Sequence, residues 1–182
     1  MRRRHRVLLL LLVGTATAGG FADHIPFRIG FGESMPAGLY WLENGPVALG
    51  DIALACPPPA AAVWARRRGY LGPGTCRGET RPIGKRVMAV AGDTVRLQDG
   101  GVFINGFGVP RSARHEHDSR GRSLSRVSEG AYRLAPGEVW LHGTDHRRSW
   151  DSRYFGPVSG ELVIGRLVPV WVSGSRDESG WR

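Results

Sequence analysis

Turn formers interrupt this chain so often that long helices have no room in most of it. The sequence carries 27 glycines and 12 prolines in 182 residues. Between them lie short β-branched and alternating runs, which is the pattern of a turn-rich, mainly antiparallel β chain. Residues 83–91 (IGKRVMAVA) alternate, and Gly92-Asp93 offers a turn. TVRLQ, then Asp99-Gly100-Gly101, then VFIN predicts a hairpin. Residues 47–55 predict a strand with a Gly-Asp turn in it, and residues 131–142 a short strand pair around Pro136-Gly137. Residues 161–172 predict a last buried strand. Residues 110–129 and 143–157 are polar and read as loops, the first of them mobile. At this length one globular domain is expected.

The N-terminus is of another kind. MRRRHR precedes an uncharged span from Val7 to Ala22, Leu-rich at first. This is short for a spanning helix, which needs ~20 apolar residues. It suits a cleaved signal peptide, with Ala16-Thr17-Ala18 as a cleavage pattern, or a short retained anchor. In either case the charge placement puts residues beyond about 23 across the membrane. We therefore divide the chain into a signal or anchor segment (1–22), an exported domain (23–172) and a disordered tail (173–182). One N-terminal anchor helix is expected.

The formal net charge is +9, but four of the positive charges are Arg2, Arg3, Arg4 and Arg6. Without residues 1–20 there remain 21 basic and 16 acidic side chains, scattered apart from Arg66-Arg67-Arg68. No helix-turn-helix, zinc-finger or RNA-binding aromatic signature accompanies them, so no nucleic-acid partner is expected. Cys56 and Cys76 bound a Pro/Gly-rich insertion over residues 56–82, with a helix candidate at Ala60–Arg68. In an exported domain this pair reads as one disulfide, with two buried free thiols as the alternative.

The basic residues hold one more signal. Of 25, only Lys85 is a lysine. A GC-rich genome accounts for the arginines. Arginine stays protonated, whereas a desolvated lysine can become a neutral amine base. On a strand Lys85 shares its face with the apolar Val87 and Ala89, while Arg86 points to the other side.

Three segments carry chemistry: Gly32-Glu33-Ser34-Met35-Pro36, Gly84 to Asp93, and Gly143 to Gly156. Together they resemble the boxes of the type I signal peptidases, the membrane-bound serine–lysine proteases. Ser34-Met35-Pro36 is similar to the nucleophile box S-M-x-P, one residue tighter. Lys85 to Asp93 is similar to K-R-V-x-A-x-x-G-D. Gly143 to Gly156 is similar to G-D-N-R-x-x-S-x-D-S-R-x-F/W-G in its second half, while Thr144-Asp145-His146 depart from D-N-R. Gly50-Asp51-Ile52 fits a further box between them. The compact run from Ser34 to Tyr40 and the two-cysteine insertion look like the conjugative-transfer peptidases of the TraF type.

The resemblance implies a mainly β, antiparallel signal-peptidase-like fold behind an N-terminal membrane anchor. The enzyme would sit in the bacterial inner membrane with its catalytic domain on the periplasmic side. It implies Ser34 as nucleophile and a neutral Lys85 as general base, with Ser149 orienting the amine. It implies an oxyanion hole built on the Ser34 backbone N–H, with Gly32 where some relatives place a hydroxyl. Asp151 and Arg153 would form a supporting ion pair, and the aspartate at that position is implied to matter for activity in the TraF-type enzymes. The substrate would be an exported precursor cut after small residues, such as a conjugative pilin precursor, linear or cyclised. Partners would be that precursor, the inner membrane and components of a type IV secretion apparatus. A serine hydroxyl is a poor nucleophile until a base takes its proton. For a lysine to do so near pH 7–8 its pKa must fall by roughly 2–3 units, about 3–4 kcal/mol.

Other readings stand beside this one. Ser34 can be an ordinary turn serine. A triad of Ser34 and Asp151 with His24, His142 or His146 is defined by geometry, not order. His115-Glu116-His117-Asp118 lies in a polar loop with no second cluster, and Gly143 and Thr144 separate His142 from His146, so neither metal nor cofactor is expected. Trp140, Trp150 and Trp171 fit core or membrane-interface positions better than substrate platforms. A general signal peptidase and a non-catalytic envelope component of a transfer apparatus are the rival functions.

Overall fold

In the computed structural model, residues 26–30, 34–98, 100–125, 127–143 and 148–173 are described. The expected anchor, His24, Gly32, Asp145, His146 and nearly all of the tail lie outside them. Among the described residues no helix is long and apolar enough to cross a membrane.

The fold is two antiparallel sheets. The strands are β1 (Phe27–Gly30), β2 (Gly38–Asn44), β3 (Ile52–Ala55), β4 (Pro73–Cys76), β5 (Ile83–Ala89), β6 (Thr94–Gln98) and β7 (Gly101–Ile104). They continue with β8 (Phe107–Gly108), β9 (Gly130–Arg133), β10 (Glu138–His142), β11 (Val158–Ser159) and β12 (Val163–Val172). The larger sheet runs β1-β2-β12-β3-β5-β10-β11 and the smaller β8-β7-β6-β9. Among the described residues two α-helices, α1 (Pro59–Arg68) and the one-turn α2 (Ser152–Phe155), and a 3-10 turn at Gly160–Leu162 complete the set.

Local chemistry accounts for several elements. β5 alternates buried and half-buried residues along its whole length, with Ile83, Lys85, Val87 and Ala89 inward. β6 turns Val95 and Leu97 inward and leaves Arg96 and Gln98 in solvent. α1 opens on prolines, whose fixed φ suits the first helical turn. It ends on Gly69 at φ 72, a left-handed cap that costs glycine little. Arg66, Arg67 and Arg68 sit in its last turn, where the helix dipole favours cations.

Elsewhere the structure departs from the sequence pattern. The expected strand over 47–55 shrinks to β3, because the Gly50-Asp51 turn precedes it. There the Ala48 N–H donates to the Asp51 carboxylate at 2.8 Å. Residues 130–133 and 138–142 do not pair around Pro136-Gly137: β9 joins β6 and β10 joins β5. The reason is a crossing point. The linker from β5 to β6 and the linker from β9 to β10 both switch sheets there. They bind each other through Gly92 N–H to Leu134 O and Leu134 N–H to Asp93 O, each 2.9 Å. The last strand is only partly buried. Leu167 is inside, whereas Ile164, Val170 and Trp171 are exposed. β1 and β2 were not foreseen; at their end of the sheet Phe27, Ile29 and Trp41 are also exposed.

The core has three parts. Ala53, Ala55, Val87, Val139, Leu141 and Val158 pack around the centre of the large sheet. Ala89, Val95, Leu97, Val102, Leu134 and Trp140 join the two sheets. Met35, Tyr40, Leu54 and Leu167 pack below the β1–β2 connection. Cys56 and Cys76 form a disulfide, which removes the free-thiol alternative.

Candidate active site

Three elements far apart in sequence meet at one point. Ser34 lies in the connection from β1 to β2. Contacts through Ser34's neighbours hold that connection down. The Tyr40 hydroxyl, on a fully buried side chain, donates to Pro36 O at 2.6 Å. Met35 packs onto β5 at Gly84, where a Cβ would collide with its sulfur. Lys85 follows on β5. β10 leaves off at His142, which is opposite Arg86, so β5 runs on past the end of its neighbour at this point.

The Lys85 ammonium or amine nitrogen, on a side chain buried to 4% exposure, donates to Ser34 Oγ. It also donates to Ser149 Oγ at 2.5 Å. The two hydroxyl oxygens are 3.3 Å apart. Arg86 faces the other way and donates to Gly50 O at 2.8 Å.

Ser149 reaches Lys85 because Gly143 has no side chain; a Cβ there would sit on the Ser149 hydroxyl. The polar loop expected over 143–157 turns inward in its second half, where Asp151, Ser152 and Arg153 are fully buried and Ser152–Phe155 form α2. Burial is tolerated because every charge there is paired and hydrogen-bonded. Asp151 accepts from Arg153 Nε at 2.8 Å and Nη2 at 2.9 Å, and from the Gly143 N–H at 2.8 Å. Arg153 also donates to the carbonyls of Ser149 and Ala113, at 2.9 and 3.0 Å. Burial pushes the Asp151 carboxyl up, but Arg153 more than offsets this and holds it below the usual carboxylate range. Asp151 therefore works on the loop through Arg153 and Gly143.

His142 is the buried group that the motifs did not single out. Burial pushes it down to about 4; Asp151 opposes the shift, and Arg153 and Lys85 add to it. It is thus neutral at pH 7, and its Nδ1 lies 3.9 Å from Asp151 Oδ2, too far for a hydrogen bond. That geometry does not supply the His–Asp link a triad requires.

Among its described residues the segment 110–129 has no helix or strand, but it is tied to the site. Its His115 N–H donates to the Tyr154 hydroxyl at 3.0 Å. Arg114 bridges Val127 O at 3.0 Å and Glu129 at 2.5 Å. Asp118 takes the Tyr70 hydroxyl and Arg122. Among the described residues no group of three or more His, Cys, Asp or Glu converges as a metal site.

Sequence reading named Ser34, Lys85, Ser149, Asp151 and Arg153, and the structure brings all five into one network. It passed over the reason for Gly84 and Gly143, and it passed over the burial of His142. The glycines stood inside the quoted motifs, so the signal was present without its cause.

Residues 7–172 match the sequence model of the family described as signal peptidase, peptidase S26. A plasmid transfer protein TraF of Escherichia coli is 38% identical over 88% of this chain and 88% of its own length. A conjugal transfer protein TraF of Agrobacterium tumefaciens (strain 15955) is 39% identical over 91% of this chain and 97% of its own. A crystal structure of a signal peptidase I from Enterococcus faecalis V583 aligns at TM-score 0.39 and 20% identity, covering 69% of this chain and 100% of that one, too loosely to carry argument.

Proposed function

The chain belongs to the peptidase S26 signal peptidase family, and from that premise we propose that it is a serine endopeptidase with Ser34 as nucleophile and Lys85 as general base. The observation that carries the proposal is the buried Lys85 nitrogen held between the Ser34 and Ser149 hydroxyls. A base must lie within hydrogen-bond reach of the proton it takes. Burial disfavours an ammonium and favours the neutral amine that the step needs.

Lys85 Nζ takes the Ser34 proton as Oγ attacks the scissile carbonyl carbon. The tetrahedral oxyanion is held by backbone donors, the Ser34 N–H among them. As the peptide C–N bond breaks, the Lys85 ammonium returns the proton to the departing amine, leaving an acyl ester on Ser34. Water then attacks the ester, Lys85 takes its proton and gives it to Ser34 Oγ, and a linear acid leaves. An amine in place of water gives a new peptide bond, and a ring if the amine is the substrate's own N-terminus. Ser149 orients the Lys85 nitrogen, and Asp151 with Arg153 holds the loop that presents Ser149.

The TraF names of the relatives support a precursor of a transfer apparatus, such as a pilin, as the substrate. The uncharged N-terminal run supports a place in the inner membrane, with the catalytic domain on the periplasmic side. So do the exposed Phe27, Ile29, Trp41 and Trp171 on the paired strands β1, β2 and β12.

The test compares intact masses of small membrane and periplasmic proteins in the native host between wild type, Ser34→Ala and Lys85→Arg. Both variants are expected to accumulate the same unprocessed precursor, with processing down at least about 10³-fold. A wild-type product one water lighter than the linear chain identifies cyclisation. Full processing by Lys85→Arg overturns the dyad, because arginine cannot act as the base.

A further inference from the structure

The insertion closed by Cys56–Cys76 carries none of the proposed reacting groups, yet it lies on the segment that presents Ser149 to Lys85. Trp64 on α1 stacks on Trp150, with ring centroids 6.1 Å apart and planes 14° from parallel. Tyr70, just past the end of α1, meets both rings edge-on, at 5.2 Å from Trp64 and 6.3 Å from Trp150. Phe155 closes on Trp150 at 4.8 Å. Trp150 stands between Ser149 and Asp151 in the chain.

The insertion is braced in turn. The Arg68 guanidinium lies 4.7 Å from the Trp64 ring and donates to Ser123 O at 2.8 Å. Arg122 donates back to Arg68 O at 3.1 Å, and the Tyr70 hydroxyl to Asp118 at 2.7 Å. The disulfide joins the start of the insertion, at Cys56 ahead of α1, to β4 after it.

We propose that this insertion is a positioning element for the proposed active site: Trp64 and Tyr70, anchored by Cys56–Cys76, seat Trp150 and so keep Ser149 Oγ on the Lys85 nitrogen. Aromatic pairs of this kind add to simple burial and prefer fixed geometries. Polar contacts hold Ser149 and Asp151 on one side, and the Trp150 ring between them is held by the insertion and Phe155. A displacement of about 1 Å in a catalytic group can cost about 10²-fold in rate. Oxidation state then becomes a condition for activity, since reduction releases the base of α1 from β4.

The inference rests on the peptidase reading for its kinetic consequence only. The test uses the full chain in detergent micelles and has two arms. The first is amide exchange in wild type, Trp64→Leu, Trp64→Phe and the disulfide-reduced wild type. In Trp64→Leu and on reduction, the Gly143 and Arg153 amides are expected to exchange at least about tenfold faster, with β6 and β7 unchanged. Trp64→Phe is expected to stay near wild type. The second arm is steady-state cleavage of the precursor that accumulates in Ser34→Ala cells. There kcat is expected to fall roughly 10- to 100-fold in Trp64→Leu with KM within about twofold, and Trp64→Phe to recover most of it.

Wild-type loop exchange in both Trp64→Leu and the reduced chain overturns the inference. So does protection lost equally in β6 and β7, which marks general destabilisation. If Trp64→Leu fails to fold, the reduced wild-type chain decides by the same readouts. A wild-type chain that cleaves nothing sinks the peptidase reading, while the exchange arm still decides this one.

Discussion

Lys85 and Ser149 meet at one hydrogen bond but arrive from unlike supports. β5 is held by backbone ladders to β3 and β10. Its inward face repeats every second residue, so the place of Lys85 follows from the strand itself. The segment 148–156 has no ladder. It is held by Asp151 and Arg153, by the Gly143 N–H, by a stacked tryptophan and by the segment 110–129. A side chain removed from β5 takes its own packing with it and leaves the backbone in register. A side chain removed from the loop network leaves other buried groups unpaired. Position set by regular backbone is robust to substitution; position set by a polar network is not.

The largest expected effect breaks the loop. Asp151→Ala leaves the Arg153 guanidinium buried without its counter-charge and is expected to destabilise the fold by about 3–5 kcal/mol in urea unfolding. Adding Arg153→Met should restore most of that stability, since the uncompensated charge is then gone. A double variant as unstable as the single would show that packing, not charge, holds the loop.

Next comes pH. His142 has its ordinary pKa of 6.5 in the unfolded chain and about 4 in the folded one. Between those values the unfolded state binds more protons, so stability falls as pH falls, by at most about 3 kcal/mol in total. Asp151, held below the usual carboxylate range, adds a loss of the same sign at more acid pH. The groups around His142 are Asp151, Arg153 and Lys85. Urea midpoints from pH 7 to 4.5 should decline in wild type and flatten in His142→Gln. A flat wild-type profile would mean that His142 is not buried as a neutral ring.

The smallest effect belongs to the strand. Val87→Ala, next to Lys85 on the inward face of β5 and fully buried, is expected to cost about 2 kcal/mol. Precursor cleavage should stay within about threefold of wild type at temperatures where the chain is folded. A loss of activity as large as that of a loop variant would erase the contrast between the two supports.

Much of the site was legible because its cues are short-range. Ser34, Lys85 and Asp151 stood out by motif. The inward face of β5 followed from a period of two, the β6–β7 hairpin from Asp99-Gly100-Gly101, and α1 from its alanine-rich run at 60–68. The rest needed contacts that no local pattern records. β9 and β10 read as a hairpin because Pro136-Gly137 is a good turn. A rival pair of hydrogen bonds, to a linker some 40 residues earlier, sends them to different sheets. Residues 149–153 read as a polar loop with an ion pair in it, and how deeply mutual pairing buries them is set by Gly143, Ala113 and Lys85, which lie outside the segment.

By itself, then, the amino-acid sequence determined the chemistry: one lysine on an apolar strand face, a serine ahead of a proline, two cysteines able to bridge, and a β chain cut by turns. These depend on residue type and on neighbours a few positions away. Only the tertiary structure decided which strands share a sheet, that glycines at 84 and 143 let Met35 and Ser149 come close, that His142 is buried and neutral, and that Trp64 lies on Trp150. Each of those depends on groups far apart in the chain, whose meeting is settled by packing and by the pairing of buried polar groups.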